Sequence, residues 1–313
     1  YTDQGDIIGL GYSAYDGTQN VYAGYVELSA PVLEQLELSA AMRYDKYESG
    51  EGKATPKLGV KWTPADWIAL RASYAEGFRA PNPAENGDGG LAAFSNARDP
   101  VRCGIDPANE CTARSVAIIT RPNKDLKPEE SKSYSVGLVL QPTSSTSMTI
   151  DAWQIKRTNE IAQGATADAI AAGNVLRDID LINGIAGTGS ILAVNTAYIN
   201  AASTRVRGID TDIRQTFDIG PGQLEMDLQW SHVLKFERTD ADVTVDYAGT
   251  HGNCDVTNCI GTPKDRINFG ATWNYHDWSV SGIVNYISSM DNLAETGGTK
   301  EDDCLNFRAD GSP

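Results

Sequence analysis

The feature that most constrains this chain is apolar–polar alternation with a period of two, carried through most of its length. In 224–231, Leu224, Met226, Leu228 and Trp230 alternate with Glu225, Asp227, Gln229 and Ser231. Successive side chains of a strand point to opposite faces, so this period builds a sheet with one apolar and one polar face. The pattern recurs in 21–30, 36–45, 54–63, 67–76, 131–141, 147–158, 209–217, 267–275 and 278–286. It predicts about ten strands and an all-β fold.

The connections alternate in length, and that narrows the fold further. Short turns are expected at 30–32, 63–66, 141–144, 220–222 and 276–277, and long loops near 79–130, 160–203, 239–262 and 290–313. Tight turns at one end and long loops at the other describe an antiparallel up-and-down transmembrane β-barrel wall. Strands of about 10 to 15 residues suit a tilted bilayer crossing. The apolar face would meet lipid. The face carrying Arg43, Lys57, Lys61, Arg71, Asp151, Asp210, Asp212, Arg214, Glu225 and Asp227 would meet a wet lumen. Trp62, Trp67, Phe217, Trp273, Tyr275 and Trp278 gather beside short turns, at the depth where amphipathic rings favour headgroups. A soluble antiparallel sheet with one face on a protein core shows the same alternation, but has no need to place every long loop at one end. Within the second long loop, 166–183 reads as one short helix or two.

Charge and motifs exclude several functions. Lys plus Arg number 26 against 42 Asp plus Glu, a net charge of −16, which leaves no basic surface for nucleic acid. No apolar run approaches the roughly 20 residues a spanning helix needs. Phosphate-loop, zinc-hydrolase and nucleophile-elbow motifs are absent, so no catalytic residue, metal ligand or cofactor is expected. Among the five cysteines, Cys103–Cys111 and Cys254–Cys259 bracket short polar loops and read as disulfides of an oxidising compartment. The competing reading of the second pair is a metal site of His251, Cys254 and Cys259, a weak match to zinc-ligand spacing. Cys304 is left over, which suggests a partner beyond Pro313. The first residues show neither an initiator Met nor a leader, so the chain reads as mature or as a piece of something longer.

Four stretches resemble one family. Residues 74–85 (YAEGFRAPNPAE), 126–137 (LKPEESKSYSVG), 200–210 (NAASTRVRGID) and 262–268 (TPKDRIN) are similar, in order and spacing, to strand–loop junctions of TonB-dependent outer-membrane receptors. As architecture they make sense: Pro81 and Pro83 cannot donate to a ladder and end a strand, and Arg79 and Glu85 are placed to bond across a loop base. Such receptors are barrels of about 22 strands filled by a plug. The resemblance therefore implies the second half of a barrel wall, without plug, TonB box or last strands, because an open sheet would leave unpaired edges in lipid.

The resemblance also implies a function. The receptor would reside in the outer membrane of a Gram-negative bacterium, among bilayer lipid and lipopolysaccharide. The TonB energy-transducing complex would drive uptake of a ferric siderophore, haem, cobalamin or oligosaccharide. Ligand contacts are expected in the long loops and near their bases, at Arg71, Arg79, Asn82, Glu85, Asp240 and Asp242. The acidic loop 239–262, with Asp240, Asp242, Asp246 and Asp255 and no Lys or Arg, suits a neutral or cationic ligand, or is only a solvated rim. The alternatives are a complete small barrel (a protease or adhesin) and a soluble β-sandwich binding module. A protease would need carboxylates and a His converging at the outer rim, whereas His232, His251 and His276 do not share a motif.

Overall fold

The computed structural model describes residues 11–48, 50, 52–240, 243–250 and 262–291. Ten long strands form the wall, an open, curled half-barrel. In chain order they are β2 (Val21–Leu33), β3 (Leu36–Tyr47), β4 (Gly52–Ala65), β5 (Ile68–Arg79), β8 (Glu129–Thr143) and β9 (Thr146–Gln163). They continue with β11 (Ile191–Ile219), β12 (Gly222–Asp240), β14 (Asp265–Tyr275) and β15 (Trp278–Ile287). Consecutive strands of this order pair antiparallel, nine pairings in all. The remaining strands belong to the long loops or to the N-terminal region: β1 (Tyr12–Asp16), β6 (Asp88–Ala97), β7 (Arg114–Arg121), β10 (Val175–Arg177) and β13 (Val243–Asp246).

The ten stretches of alternation each coincide with one wall strand. One row of paired residues runs across the polar face through Glu37, Lys61, Arg71, Gly137, Asp151, Asp210, Ser231 and Arg266. It starts one residue into β3 and ends nine residues before the end of β14. A row that climbs from the short-turn end to the loop end is the stagger of strands tilted against the barrel axis.

Burial runs opposite to that of a water-soluble sheet. Large apolar side chains stay exposed along the wall, with Val136 at 60% and Val284 at 61% of full exposure. The hydrophobic core lies instead among the loops, where Val116, Ile118, Ala169, Ile170, Ile191 and Val194 are buried together. Each Val or Ile side chain so buried stabilises this cap by roughly 1.5–3 kcal/mol relative to an exposed one.

Several expectations need correction. The turn expected at 30–32 falls at 34–35, because Pro31 stays in β2, opposite Glu37 and beside a register shift. A proline fits there because β2 pairs only with β3 among the described residues, and a bulge tolerates a missing N–H. The second loop is shorter than 160–203, since β9 runs to Gln163 and β11 begins at Ile191. Register shifts at Asn200/Ala202, Ala202/Thr204 and Arg207/Gly208 hide the period there. Within 166–183 the chain forms α3 (Thr166–Ala171), then β10, then a single 3-10 turn at Ile182–Gly184. The first long loop is a folded hairpin of β6 and β7, with α1 (Pro83–Asn86) before it and α2 (Pro100–Ile105) inside it.

Candidate functional site

Function on such a scaffold concentrates on the polar face and on the loops at its open end, and three of the four sequence motifs meet at the junction of the two. Arg79, at the end of β5, donates to Glu85 at 2.8 and 3.0 Å and to Glu129 at 2.7 and 3.0 Å. Glu85 also closes a capping box with Asn82 at the start of α1 (2.8 and 3.0 Å). Glu129, at the start of β8, accepts further hydrogen bonds from Arg157 (3.3 Å) and from the Ile161 backbone N–H (2.9 Å). Arg157 approaches buried Glu160 at 3.5 Å, and Arg238 lies 3.8 Å from the same carboxylate. Carboxylates and guanidiniums thus alternate from the first loop base across β5, β8, β9 and β12. Beside this chain, the Asn200 amide donates to the carbonyls of Lys127 (2.8 Å) and Asn159 (2.7 Å) and accepts from the Lys127 N–H (2.7 Å).

Of the six proposed ligand contacts, Arg79, Asn82 and Glu85 come together, bonded to one another. Arg71 lies elsewhere, deeper on the polar face, where it forks onto Asp151 at 2.9 and 2.5 Å. It reaches across β8 only because Gly137 stands between: a Cβ there would meet Asp151 Oδ1 at 2.0 Å and Arg71 Nε at 2.8 Å. Asp240 closes β12, and Asp242 lies outside the described residues, as do Cys254, Cys259, His251 and Cys304. In the acidic loop, Asp246 accepts from the backbone N–H groups of Phe236 (3.0 Å) and Ala248 (3.1 Å), an internal role. Glu129 and Asn200 belong to the quoted motifs but were not among the expected contacts. Their partners lie 50 and 73 positions away in sequence. Trp67 differs from its expected place in an aromatic girdle. It lines a depression of about 410 Å³ on the polar face with Lys61, Arg71 and Gln141.

The loop cap has its own fastening. Cys103 and Cys111 form the expected disulfide, with Cα atoms 4.4 Å apart. The adjoining Arg102, 7% exposed, forks onto Glu110 at 2.9 Å and donates to the carbonyls of Asp180 (3.0 Å) and Thr188 (2.7 Å). Arg177 donates to Asp99, the residue capping α2. These contacts join the first and second long loops into one body.

Acid should loosen that body. Burial opposes ionisation of Asp99, yet hydrogen bonds from Arg177 and the Arg102 and Val101 N–H groups outweigh it and hold its pKa below the ordinary value. The hydrogen bond from Arg102 lowers Glu110, and those from Ser190 lower Asp180. A carboxylate depressed in the folded state stabilises above its unfolded pKa and loses that contribution as pH falls through its folded pKa. Hydrogen-exchange protection of 178–190, corrected for intrinsic rates, should therefore hold from neutrality to about pH 4 and fall below it. Loss of protection between pH 5 and 7 would contradict this assignment.

A single antiparallel wall with apolar side chains exposed on one face, ion pairs on the other and its folded loops at one end defines an outer-membrane-type β-barrel. Residues 1–309 match the family description "TonB dependent receptor-like, beta-barrel", and the chain belongs to that family. Its barrels are outer-membrane proteins of Gram-negative bacteria, and its members are transport receptors. A probable TonB-dependent siderophore receptor, PirA, of Acinetobacter baumannii is 23% identical over 122 residues, which cover 39% of this chain and 15% of the relative.

Solved structures agree in fold. The siderophore receptor PirA of Acinetobacter baumannii aligns with a TM-score of 0.57 at 14% identity, over 87% of this chain and 35% of that one. A ferric enterobactin receptor mutant (PfeA) of Pseudomonas aeruginosa, in complex with enterobactin, gives 0.59 at 17% identity over 88% and 33%. A double mutant of the Serratia marcescens hemophore receptor HasR, in complex with its hemophore HasA and heme, gives 0.54 at 18% over 87% and 44%. The chain thus spans less than half the length of these relatives. Among the described residues the wall is a single sheet with no second sheet packed on it, which replaces the soluble-sandwich alternative.

Proposed function

We propose that this chain supplies wall and ligand-capturing loops to a larger, plug-filled outer-membrane receptor for TonB-energised uptake of a scarce nutrient. The observation that carries the reading is the division of labour in the wall: exposed apolar residues outside, paired charges inside, and a fastened loop cap at one end only. Such a cap presents a ligand surface held by a rigid scaffold. Ferric siderophores and haem are the favoured ligands, since the relatives' names speak of siderophores and of a hemophore with heme. Cobalamin and oligosaccharides belong to the same proposal as less favoured classes. The protein acts as a receptor and not as an enzyme.

Within this reading Arg79, Asn82 and Glu85 shape the first loop's base, because their polar atoms are engaged with one another. Arg71 faces the lumen, and the negative charge that Asp240 and Asp242 bring to the sequence of 239–262 disfavours anionic ligands locally. The test places the full-length receptor in an iron-starved Gram-negative host lacking its own iron receptors, supplied with radiolabelled iron as a panel of ferric siderophores and haem. Iron from at least one source should accumulate, and accumulation should vanish when the host lacks TonB. Equal accumulation without TonB, or none from any source with the receptor folded at the surface, would refute the proposal.

A further inference from the structure

Residues 178–190 form a short loop whose ends meet, the Asp178 N–H donating to the Ser190 carbonyl at 2.8 Å. Compact surface loops of this kind are held by their own groups. Here the polar groups do all of the holding. Asp180 accepts from the Ser190 N–H (2.7 Å) and hydroxyl (2.6 Å). Thr188, 2% exposed, accepts from the Ile182 N–H (2.9 Å) and donates to the Ile185 carbonyl (2.6 Å). Arg102 donates to the carbonyls of Asp180 and Thr188, and Arg177 to that of Gly189 at 2.8 Å. The two ends pack so closely that a Cβ on Gly189 would meet the Asp178 carbonyl oxygen at 1.7 Å.

The apolar side chains go the other way. Ile179 is 92% exposed, and Leu181, Ile185 and the preceding Leu176 are 43–57% exposed. A loop shaped only by water turns its aliphatic groups inward, and a place to put them exists beside it in sequence, where Ile170, Ile191 and Val194 are buried. Exposed apolar groups gathered on one surface mark interaction sites. A backbone already fixed also loses little entropy when a partner arrives.

Shape and charge select the occupant. A side chain as exposed as Ile179 is a convex tip, whereas small-molecule sites are concave and enclose most of their ligand. The charges flanking the tip in sequence are both carboxylates. Asp178 has no ion-pair partner among the described residues, and Asp180 keeps 47% of its side-chain exposure beside Arg102. An anionic membrane surface is repelled by such a tip, and so is a second copy of a chain with net charge −16. A folded protein with an apolar recess rimmed by Lys or Arg fits it, because an anchor seated in a dry pocket carries most of an interface's energy.

We infer that the 178–190 loop is a docking surface for a partner protein at the cell surface. Ile179 is the anchor that enters an apolar recess, and Asp178 meets a cation on its rim. The inference rests on the reading that turns the loop end out of the cell, and it adds a macromolecular partner to a receptor whose proposed ligand is a small molecule.

The test places the photo-crosslinking residue p-benzoylphenylalanine at Ile179, at Ile185 and, as control, at exposed Asn96 of β6. The full-length receptor is produced in its own bacterium under iron starvation and irradiated. One protein should be joined at positions 179 and 185 and not at 96. Once purified, that protein should bind the wild-type receptor at least tenfold more tightly than Ile179→Asp. It should bind Asp178→Asn about threefold more weakly than wild type, a difference that closes at high salt. Should the aspartate variant not fold, Ile179→Ser should weaken binding about fivefold, and an unchanged affinity there counts equally against the surface. No protein joined at 179 or 185, equal joining at 96, or joining only to lipopolysaccharide or a second receptor would overturn the surface. Equal binding of the captured protein to wild type and Ile179→Asp would do the same. Loss of iron accumulation by Ile179→Asp in a host lacking the captured protein would make the tip a nutrient contact and overturn it too. Iron accumulation by wild type decides the receptor reading separately, since a captured protein that discriminates against Ile179→Asp establishes the surface even where no iron source is taken up.

Discussion

Arginine in place of Val136 should destabilise the full-length receptor in bilayers by about 2 kcal/mol, read from the urea midpoint of reversible unfolding. Val136 is 60% exposed on β8, between Tyr134 and Leu138 on the apolar face. In a sheet washed by water, replacing so exposed a side chain changes stability by no more than about 0.5 kcal/mol. In a barrel the same position faces hydrocarbon, where a guanidinium loses its hydration. Arginine in place of Ser135, the next residue and on the polar face, should therefore be nearly neutral. The contrast between adjacent positions is the measurement. Equal small effects at both would mean that the apolar face is not in lipid, and the receptor reading would fall with it.

That contrast is also why the wall was legible in the sequence. Lipid on one side and a wet lumen on the other impose a choice at every residue, so Leu224, Met226, Leu228 and Trp230 declare a strand without any knowledge of its neighbours. The loop cap imposes no such choice. Val116 and Ile118 of β7 are buried with Val194, and β7 pairs parallel to β11 through residues some 76 positions away in the chain. A strand covered by other loop elements loses the clean alternation of a half-exposed one, and a parallel partner leaves no turn signal to find. The outer part of β11 is hidden for another reason: its bulges shift the period each time it begins to show.

The site divides in the same way. The Arg79–Glu85 bond was readable because both residues lie in one short motif, six positions apart. Glu129 was quoted as part of another motif, yet its partnership with Arg79 required β5 and β8 to be neighbours across a long loop. Three of the four motifs are in fact parts of one junction, since Arg79 meets Glu129 and Asn200 meets Lys127 there. The Arg71–Asp151 pair was hidden more deeply. It skips a strand, and only the empty Cα of Gly137 makes it possible.

Glu129 should consequently be the most sensitive residue of the loop base. Alanine there removes the acceptor shared by Arg79, Arg157 and the Ile161 N–H in a single step. Breaking a buried ion pair by deleting one partner costs about 3–5 kcal/mol. Arg79 and Arg157 keep 41% and 49% of their side-chain exposure, so water recovers part of their solvation. The expected loss is therefore about 2–3 kcal/mol. Glutamine, which keeps an acceptor for Ile161 but no charge, should lose about half as much. The loss should be local before it is global, because the junction fastens two loops to the wall. Hydrogen exchange in 79–130 and 164–190 should rise together in the alanine variant, while the lower wall near the short turns stays protected. If the urea midpoint moves by less than the equivalent of about 0.5 kcal/mol, the carboxylate is an ordinary surface group and the shared-junction account fails. A rise confined to 79–130 would mean instead that the two loops hang independently, and that capture of a ligand between them must assemble the site rather than find it built.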